Sequence, residues 1–436
     1  MSTDLQGLMQ LLERAVDAGA ATAEVQYVES EGLDVTTVRA RPQRKEVASR
    51  ALRVRTWLAD GRYGEATGAP DKHPALTRAA LAAAGKAPPQ DGAGPAPRLP
   101  MVTRGLGIDD RRYPSLTPVD RADVIAAAEK GACGVDRNLQ TKDFTYYDRR
   151  VRRAVANTND VIAEEWSTGY HATGTVTHHD VAIREAIASR SFASISSLPF
   201  GVVMARRAVA LQGSQADPTG VVRVMMPPRV TGTLFARLAL AFHSDRIEAG
   251  KSLFSATFRK GEPVVDPRIH LIDDAQLPGG FNTWTFDEEG VPPLTLALLR
   301  EGIPDACYLT IAQTRDSDAR PTGHQWEGKI RSGNLMLRSG TRSMSALLSE
   351  HSDVRTLMLD HVLGWEDLDL ETGDFVVTGS GFVQQGNDQI EGPVRNVVLR
   401  GNVLEVLSNL VDIASDTDRI EYVDAPGLLC EGFTIG

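Results

Sequence analysis

The alternation of apolar and polar positions divides the first half of the chain into helical and strand-like stretches. Leu5, Leu8, Leu12 and Val16 recur at helical spacing, so a first helix is expected, capped by Ser2, Thr3 or Asp4 and stopped at Gly19. From Leu52 to Leu58 the residues alternate in character, with Leu52, Val54 and Leu58 on one face, and Asp60-Gly61 reads as the turn of a hairpin reaching Gly68. Pro74 to Ala84 reads as a short Ala-rich helix. Pro88, Pro89, Pro95, Pro97 and Pro100 beside Gly92 and Gly94 exclude a helix or a central strand from 86–100, which leaves a surface loop. Thr117-Pro118 opens another helix, and Gly131 is expected to end it. Tyr146 to Val176 is again β-rich, with Val151, Val155 and Val161 among polar neighbours. Helical stretches are expected near Val181 to Ala188 and near Phe200 to Leu211.

Gln212 to Gly220 has turn composition and marks a domain boundary. The chain is thus read as α+β: a helix-and-sheet domain over 1–215 and a β-rich domain over 216–436. The second half opens with a strand over Val221 to Met226, then Pro227-Pro228 and a helix from about Gly232 to Ser244. Short apolar runs separated by turns follow, as at Gly373-Asp374-Phe375-Val376-Val377 and Gly386-Asn387-Asp388. An amphipathic helix through Val403, Val406, Leu407 and Leu410 closes the domain. No repeat of 20–50 residues is visible.

Composition narrows the function. With 42% hydrophobic and 24% charged residues, the chain is an ordinary folded protein. A formal charge of −10 disfavours nucleic acid and anionic membrane as partners, and the run Arg149, Arg150, Arg152, Arg153 reads as a solvated face. Cys133, Cys307 and Cys430 form neither a disulfide framework nor a zinc-type CxxC pair. Met1-Ser2-Thr3-Asp4 lacks a basic and apolar leader, and no run of about 18 apolar residues is present, so a soluble cytoplasmic protein is expected.

A series of short motifs in the second half carries a resemblance. In order they are Ile247-Glu248-Ala249-Gly250-Lys251-Ser252, Leu271-Ile272-Asp273-Asp274, and Phe286-Asp287-Glu288-Glu289-Gly290. Thr372-Gly373-Asp374-Phe375 with Gly379-Ser380-Gly381-Phe382, Pro393-Val394 and Gly401-Asn402-Val403-Leu404 follow. Each piece is weak alone, but their order and spacing resemble the C-terminal domain of the TldD/TldE (PmbA) metallopeptidase family. Active members of that family carry H-E-x-x-x-H on a helix, two imidazoles holding zinc and the glutamate serving as general base. A spacing of i to i+5 between the histidines is about 140° around the helix on a step of roughly 100°, so a wide turn or a helix end is implied.

Counting back from Gly250 and Ser252 places the motif on Phe235 to Leu240, where Phe235 and Leu240 replace the histidines and Ala236 replaces the glutamate. Thr231 to Phe242 holds no His, Asp, Glu or Cys, so the helix over 231–244 is a degenerate one. The chain therefore resembles the TldE branch, which lacks the zinc motif, pairs with a zinc-bearing TldD subunit and helps enclose a channel for short unfolded peptides. The resemblance implies no metal, cofactor or catalytic residue in this chain, with zinc in the partner of a heterodimer. It also implies His243, Gly250, Ser252, His324, Gly373 and Gly381 as candidate channel-lining positions. Alternatives stay open: a stand-alone hydrolase or tailoring enzyme recruiting His243, His324 or Cys307 with Arg237 on the altered helix, or a homodimeric peptide-binding scaffold.

Other constellations have plainer readings. Asp273, Asp274, Asp287, Glu288 and Glu289 read as exposed turn acids, despite their look of paired carboxylates. His178-His179-Asp180 has ligand-type side chains, but neighbours on a strand point apart. His243 is placed to cap a helix C-terminus electrostatically, and His324, flanked by Gly323 and Trp326, reads as a packed loop residue. Cys307 in Ala306-Cys307-Tyr308-Leu309 reads as a buried strand thiol. Gly61, Gly64 and Gly68 lack the Lys-Ser/Thr of a phosphate loop.

Overall fold

In the first half, alternation of buried and exposed residues builds one antiparallel sheet. A computed structural model describes residues 5–38, 41–90, 94–102, 104–258, 260–314, 318–385 and 389–436. The expected caps Ser2, Thr3 and Asp4, Gly92 and the Gly386-Asn387-Asp388 turn lie outside the described residues. The strands are β1 (Thr22–Val38), β2 (Arg41–Trp57), β3 (Tyr63–Gly68), β4 (Leu139–Asn157), β5 (Ile162–His178) and β6 (Val181–Ser189). They pair in the order β3-β2-β1-β4-β5-β6.

One face of this sheet is covered by helices. Leu8 and Leu11 of α1 (Leu5–Asp17) and Leu76 and Ala80 of α2 (His73–Ala84) pack on Val25, Tyr27, Leu52, Val54, Ala154 and Ala156. The buried stripe of α1 is Leu8, Leu11 and Ala15, with Val16 exposed. Further along, α3 (Pro118–Cys133), α4 (Phe192–Ser197) and α5 (Phe200–Ala210) bury their apolar sides against Leu33, Val35, Tyr146, Tyr170 and Val176. Thr117 caps α3 in a reciprocal box with Asp120. Period two then places Glu24, Gln26, Arg53, Arg55, Arg153 and Glu165 together on the opposite, polar face. Cross-strand pairing of Glu24 with Arg55, Gln26 with Arg53 and Arg153 with Glu165 fixes that arrangement.

The second half forms an 11-stranded mixed sheet beginning at β7 (Arg223–Met226), followed by α6 (Pro228–Leu238). Its remaining strands are β8 (Leu271–Asp274), β9 (Thr295–Arg300), β10 (Ile303–Pro304), β13 (Asn334–Leu337), β14 (Thr356–Leu363), β15 (Asp374–Gln385) and β16 (Gln389–Asn402), then β17 (Leu410–Ile420), β18 (Val423–Cys430) and β19 (Thr434–Ile435). Between β10 and β13, the hairpin β11 (Gln325–Trp326) and β12 (Lys329–Ile330) stands apart as a two-stranded sheet. The strand order is β10-β9-β8-β13-β18-β7-β14-β15-β16-β19, with β17 on β18. Parallel pairs at β7–β14 and β13–β18 need crossovers, and α6, one of these, lies against β17 and β18 over the largest apolar core.

Five local expectations are corrected. Val181 to Ala188 is strand β6, because Val181 and Ile183 are buried while Ala182 and Arg184 are not, and full pairing with β5 outweighs the helix propensity of its alanines. Its turn is His179-Asp180, with His179 at φ 52°, so the two histidine rings touch at 4.6 Å instead of pointing apart. Gly131 lies inside α3, where helices α3 and α5 cross closely; a Cβ on Gly201 would fall 2.0 Å from the Ala128 carbonyl oxygen. The closing helix spans only Val403–Ser408, and Leu410 begins β17. Cys307 is half-buried in an extended segment outside any strand.

Candidate functional site

Pro228 opens α6, its missing N–H harmless in the first turn. The α-helix stops at Leu238, tightens into a 3₁₀ turn over Ala239–Phe242, and leaves His243 extended, so the expected helix over 231–244 both starts and ends earlier. Phe235 has no exposed surface, and Ala236 and Leu240 pack half-buried against the same core. Arg237 donates to the Leu368 carbonyl at 3.5 Å, while its Nε is buried without a hydrogen-bond partner. Hydrocarbon and one guanidinium are all that this helix end presents.

The six candidate channel positions are spread over several elements. Ser252 is buried, its hydroxyl donating to the Ala241 carbonyl at 2.7 Å and accepting from the Phe254 N–H, so it fastens the chain to the end of α6. Gly250 is an exposed turn residue at φ 72°, and Gly373 occupies a buried turn at φ 87°. Gly381 lies where β15 crosses a bulge of β14; a Cβ there would fall 2.1 Å from the Met358 carbonyl oxygen. His243 pairs with Tyr308 in an isolated bridge, ring centroids 5.7 Å apart. Burial holds its pKa down near 4, so it is neutral at pH 7 and supplies no charge to a helix terminus.

His324 has no exposed surface. Its Nδ1 meets the Thr322 carbonyl at 2.8 Å, and its ring packs between Tyr308 at 5.0 Å and Trp284 at 5.6 Å. Asp273 is also fully buried, which corrects the reading of it as an exposed turn acid. It accepts from the Tyr308 hydroxyl at 2.6 Å and the Gly333 N–H at 2.9 Å. His324 Nε2 and Asp273 Oδ1 face each other at 3.7 Å, neither with a hydrogen-bond partner. Asp287 is buried too. Burial and the neighbouring Glu289 raise its pKa, against three backbone N–H groups, from Gln325, Val291 and Glu289, that pull the other way. These acids hold loops together.

A groove runs along the polar face of the first sheet, roofed by the loop 281–289 and the β11–β12 hairpin. It consists of three adjoining clefts of about 210, 240 and 250 Å³. Glu288 is shared by the first two, and Arg153 and Trp326 by the last two. Roof and floor are stitched by side chain to backbone bonds: Gln26 donates to the Glu288 carbonyl, Arg153 to Phe286 at 2.9 Å, and Arg190 to Thr283 at 3.1 Å. Trp326 lies over Arg153 at 4.1 Å. The arginine run is therefore a set of ion pairs, Arg149–Asp34, Arg150–Asp109, Arg152–Glu164 and Arg153–Glu165, and not a solvated face. Within the groove, burial pushes Glu24 up to about 7 against the pull of Arg55, and holds His171 down near 4. None of the six candidate positions lines this groove, although His324 stands directly behind Trp284.

Residues 219–436, half of the chain, match the model of the PmbA/TldA metallopeptidase C-terminal domain. The chain belongs to the PmbA/TldD metallopeptidase family. It is 26% identical over 220 residues to a metalloprotease of Methanothermobacter thermautotrophicus, covering 48% of this chain and 46% of that one. It is 22% identical to the metalloprotease PmbA of Escherichia coli over 98% of this chain and 96% of PmbA. The chain spans about half the length of the first three curated relatives that it matches. TldE of Thermococcus kodakarensis superposes with a TM-score of 0.85 at 15% identity, covering 98% of this chain and 99% of that one. A Thermotoga maritima protein described as a modulator of DNA gyrase gives 0.88 at 20%, covering 99% of both chains. At such identities these likenesses establish the fold.

Where the PmbA/TldD resemblance puts zinc ligands, this family member does not fit the ion: Phe235, Ala236 and Leu240 have no donor atom. Among the described residues no group of three or more His, Cys, Asp or Glu side chains converges as a metal site. Cys430 lies in the same core as Phe235, and burial raises its thiol pKa, which opposes a thiolate ligand. Sequence reasoning missed the groove residues Arg53, Arg190, Arg331, Phe281, Trp284 and Trp326. The usable signal was the period-two spacing of Arg149, Val151 and Arg153, which puts these three on one face and Arg150 and Arg152 on the other.

Proposed function

We propose that this chain is the TldE-like, metal-free subunit of a heterodimeric TldD/TldE-type zinc metallopeptidase. It binds a short extended peptide in the groove while a zinc-bearing TldD-like subunit, in the cytoplasm, cleaves it. The observation that carries this reading is the replacement of metal donors by core hydrocarbon at Phe235, Ala236 and Leu240. A long groove beside a sheet suits an extended substrate, because backbone contacts tolerate many side chains. None of the described helices is long and apolar enough to cross a membrane, which agrees with a soluble complex.

The geometry gives little support to a hydrolase built on His324 or Cys307. His324, Tyr308 and Asp273 have no exposed surface on which a substrate could bear. Burial pushes the Cys307 thiol up to about 11, away from a reactive thiolate. The decisive experiment measures peptide hydrolysis by this chain alone, by a zinc-bearing homologue alone, and by both together. Activity that rises sharply only in the mixture supports the proposal. Amide hydrolysis by this chain alone, lost on His324→Ala or Cys307→Ala, would overturn it.

A further inference from the structure

We propose that the end of the groove where Arg190 and Arg331 meet is a carboxylate-binding pocket. This deepens the proposed function and rests on its reading of the groove as a peptide site. Most arginines along the groove already have an acid: Arg55 pairs with Glu24, Arg153 with Glu165 and Arg149 with Asp34. Arg190 and Arg331 have none within ion-pair distance among the described residues. Arg190 follows β6 and donates to the Thr168 carbonyl at 2.7 Å and the Thr283 carbonyl at 3.1 Å, which leaves its Nε buried without a partner. Arg331 donates once, to the Asn282 side-chain carbonyl at 2.7 Å.

The charge balance of this cleft is positive. Among the described residues Glu165 is the one carboxylate lining it, and Arg153 at 2.5 Å and the Thr285 N–H and hydroxyl at 2.5 and 2.8 Å engage it already. Burial, with Arg331 and Arg153 nearby, lowers the Arg190 pKa to about 10, which still leaves the guanidinium charged at pH 7. Arg331 reaches solvent, but Arg190 is half-buried with its Nε enclosed and has no acid beside it, and a guanidinium so placed is costly unless an anion joins it. Their planar forks match a carboxylate held by two hydrogen bonds. Phe281, Trp284 and Trp326 wall the cleft, Arg190 lying 5.4 Å over Phe281 and Arg331 between the two tryptophans at 5.9 and 5.7 Å. An apolar wall beside a cationic end favours an organic acid over a bare oxyanion. The cleft opens into the rest of the groove through Arg153 and Trp326, so a peptide lying there would present its terminal or side-chain carboxylate to it.

The test measures binding of short alanine peptides to the full chain by calorimetry and by tryptophan fluorescence. Three probes are used: the free acid, its C-terminal amide, and an amide carrying one glutamate. The free acid is expected to bind at least tenfold more tightly than the plain amide, the discrimination of a charge-assisted bond. Preference for the glutamate-bearing amide instead would assign the pocket to an acidic side chain, still a carboxylate. Arg331→Gln is expected to erase the difference between acid and amide. It is preferred to Arg190→Gln because Arg190 also ties two loops together. Equal binding of all three probes, no binding of any with or without the zinc-bearing partner, or tighter binding of inorganic phosphate would each overturn the proposal. An arginine-dependent acid preference in a chain that pairs with no zinc-bearing subunit would keep the pocket and remove only the subunit reading.

Discussion

Placing a histidine where the resemblance demands one, Phe235→His, tests whether the end of α6 is core or latent metal site. Phe235 is fully buried among Leu234, Leu238 and their neighbours in the largest apolar cluster. Removing a buried phenyl forfeits about 1.5–3 kcal/mol of transfer free energy. A buried imidazole nitrogen without a partner adds roughly 1–3 kcal/mol, so a loss of about 2.5–6 kcal/mol is expected. Thermal unfolding of wild type and variant, each with chelator and with excess zinc, reads this out. A site with complementary ligands would recover about 2.7 kcal/mol at 100 times its Kd. No such recovery is expected, because neither Ala236 nor Leu240 offers a donor and no described cluster of ligand-type side chains lies ready to complete a site. A variant as stable as wild type, or one restored by zinc, would refute the reasoning.

Further expectations concern packing, protonation and thiol access. Gly381→Ala forces a Cβ to 2.1 Å from a carbonyl oxygen and should destabilise by about 2 kcal/mol or more, visible as a lower unfolding midpoint. Thr117→Ala removes a capping box and should cost about 1 kcal/mol by the same measurement. His171 and His243 sit near pKa 4 in the folded chain against about 6.5 when unfolded. The folded state therefore binds fewer protons between those values. Their contribution, at most about 3 kcal/mol each, is complete above pH of about 6.5 and is lost as pH falls toward about 4. His243→Phe should lose less stability than wild type between about pH 7 and about pH 5; equal losses would contradict this. A thiol reagent should label exposed Cys133 in the native chain and reach buried Cys430 only on unfolding, so rapid labelling of Cys430 would count against the packing described.

Much of the fold is legible from periodicity and punctuation. The Leu52-to-Gly68 hairpin, the capped helix at Thr117 and the helix over Phe200–Ala210 announce themselves by alternation, cap and helical spacing. The strand Val181–Ser189 does not, because three alanines mimic a helix and only pairing with β5 decides. Pairing partners are invisible locally, so the long arginine-bearing strand reads as a solvated surface until its acids are brought across from other strands. Asp273 and Asp287 mislead for the same reason. Acids in turn-like contexts read as exposed, yet a backbone N–H 38 residues away in sequence reaches Asp287 and one 60 residues away reaches Asp273. That Phe235, Ala236 and Leu240 carry no donor atom for a cation is read directly from the residue types. The groove is not, because its floor comes from the first sheet and its roof from loops of the second half.

The most direct test is metal stoichiometry per chain, by elemental analysis of this chain alone and then of its complex with a homologue bearing H-E-x-x-x-H. Zinc below stoichiometric levels in the isolated chain, and about one ion per pair in an active complex, is the expected result. About one tightly held zinc in the isolated chain, retained against a chelator and bound through groups other than those on α6, would contradict the central claim.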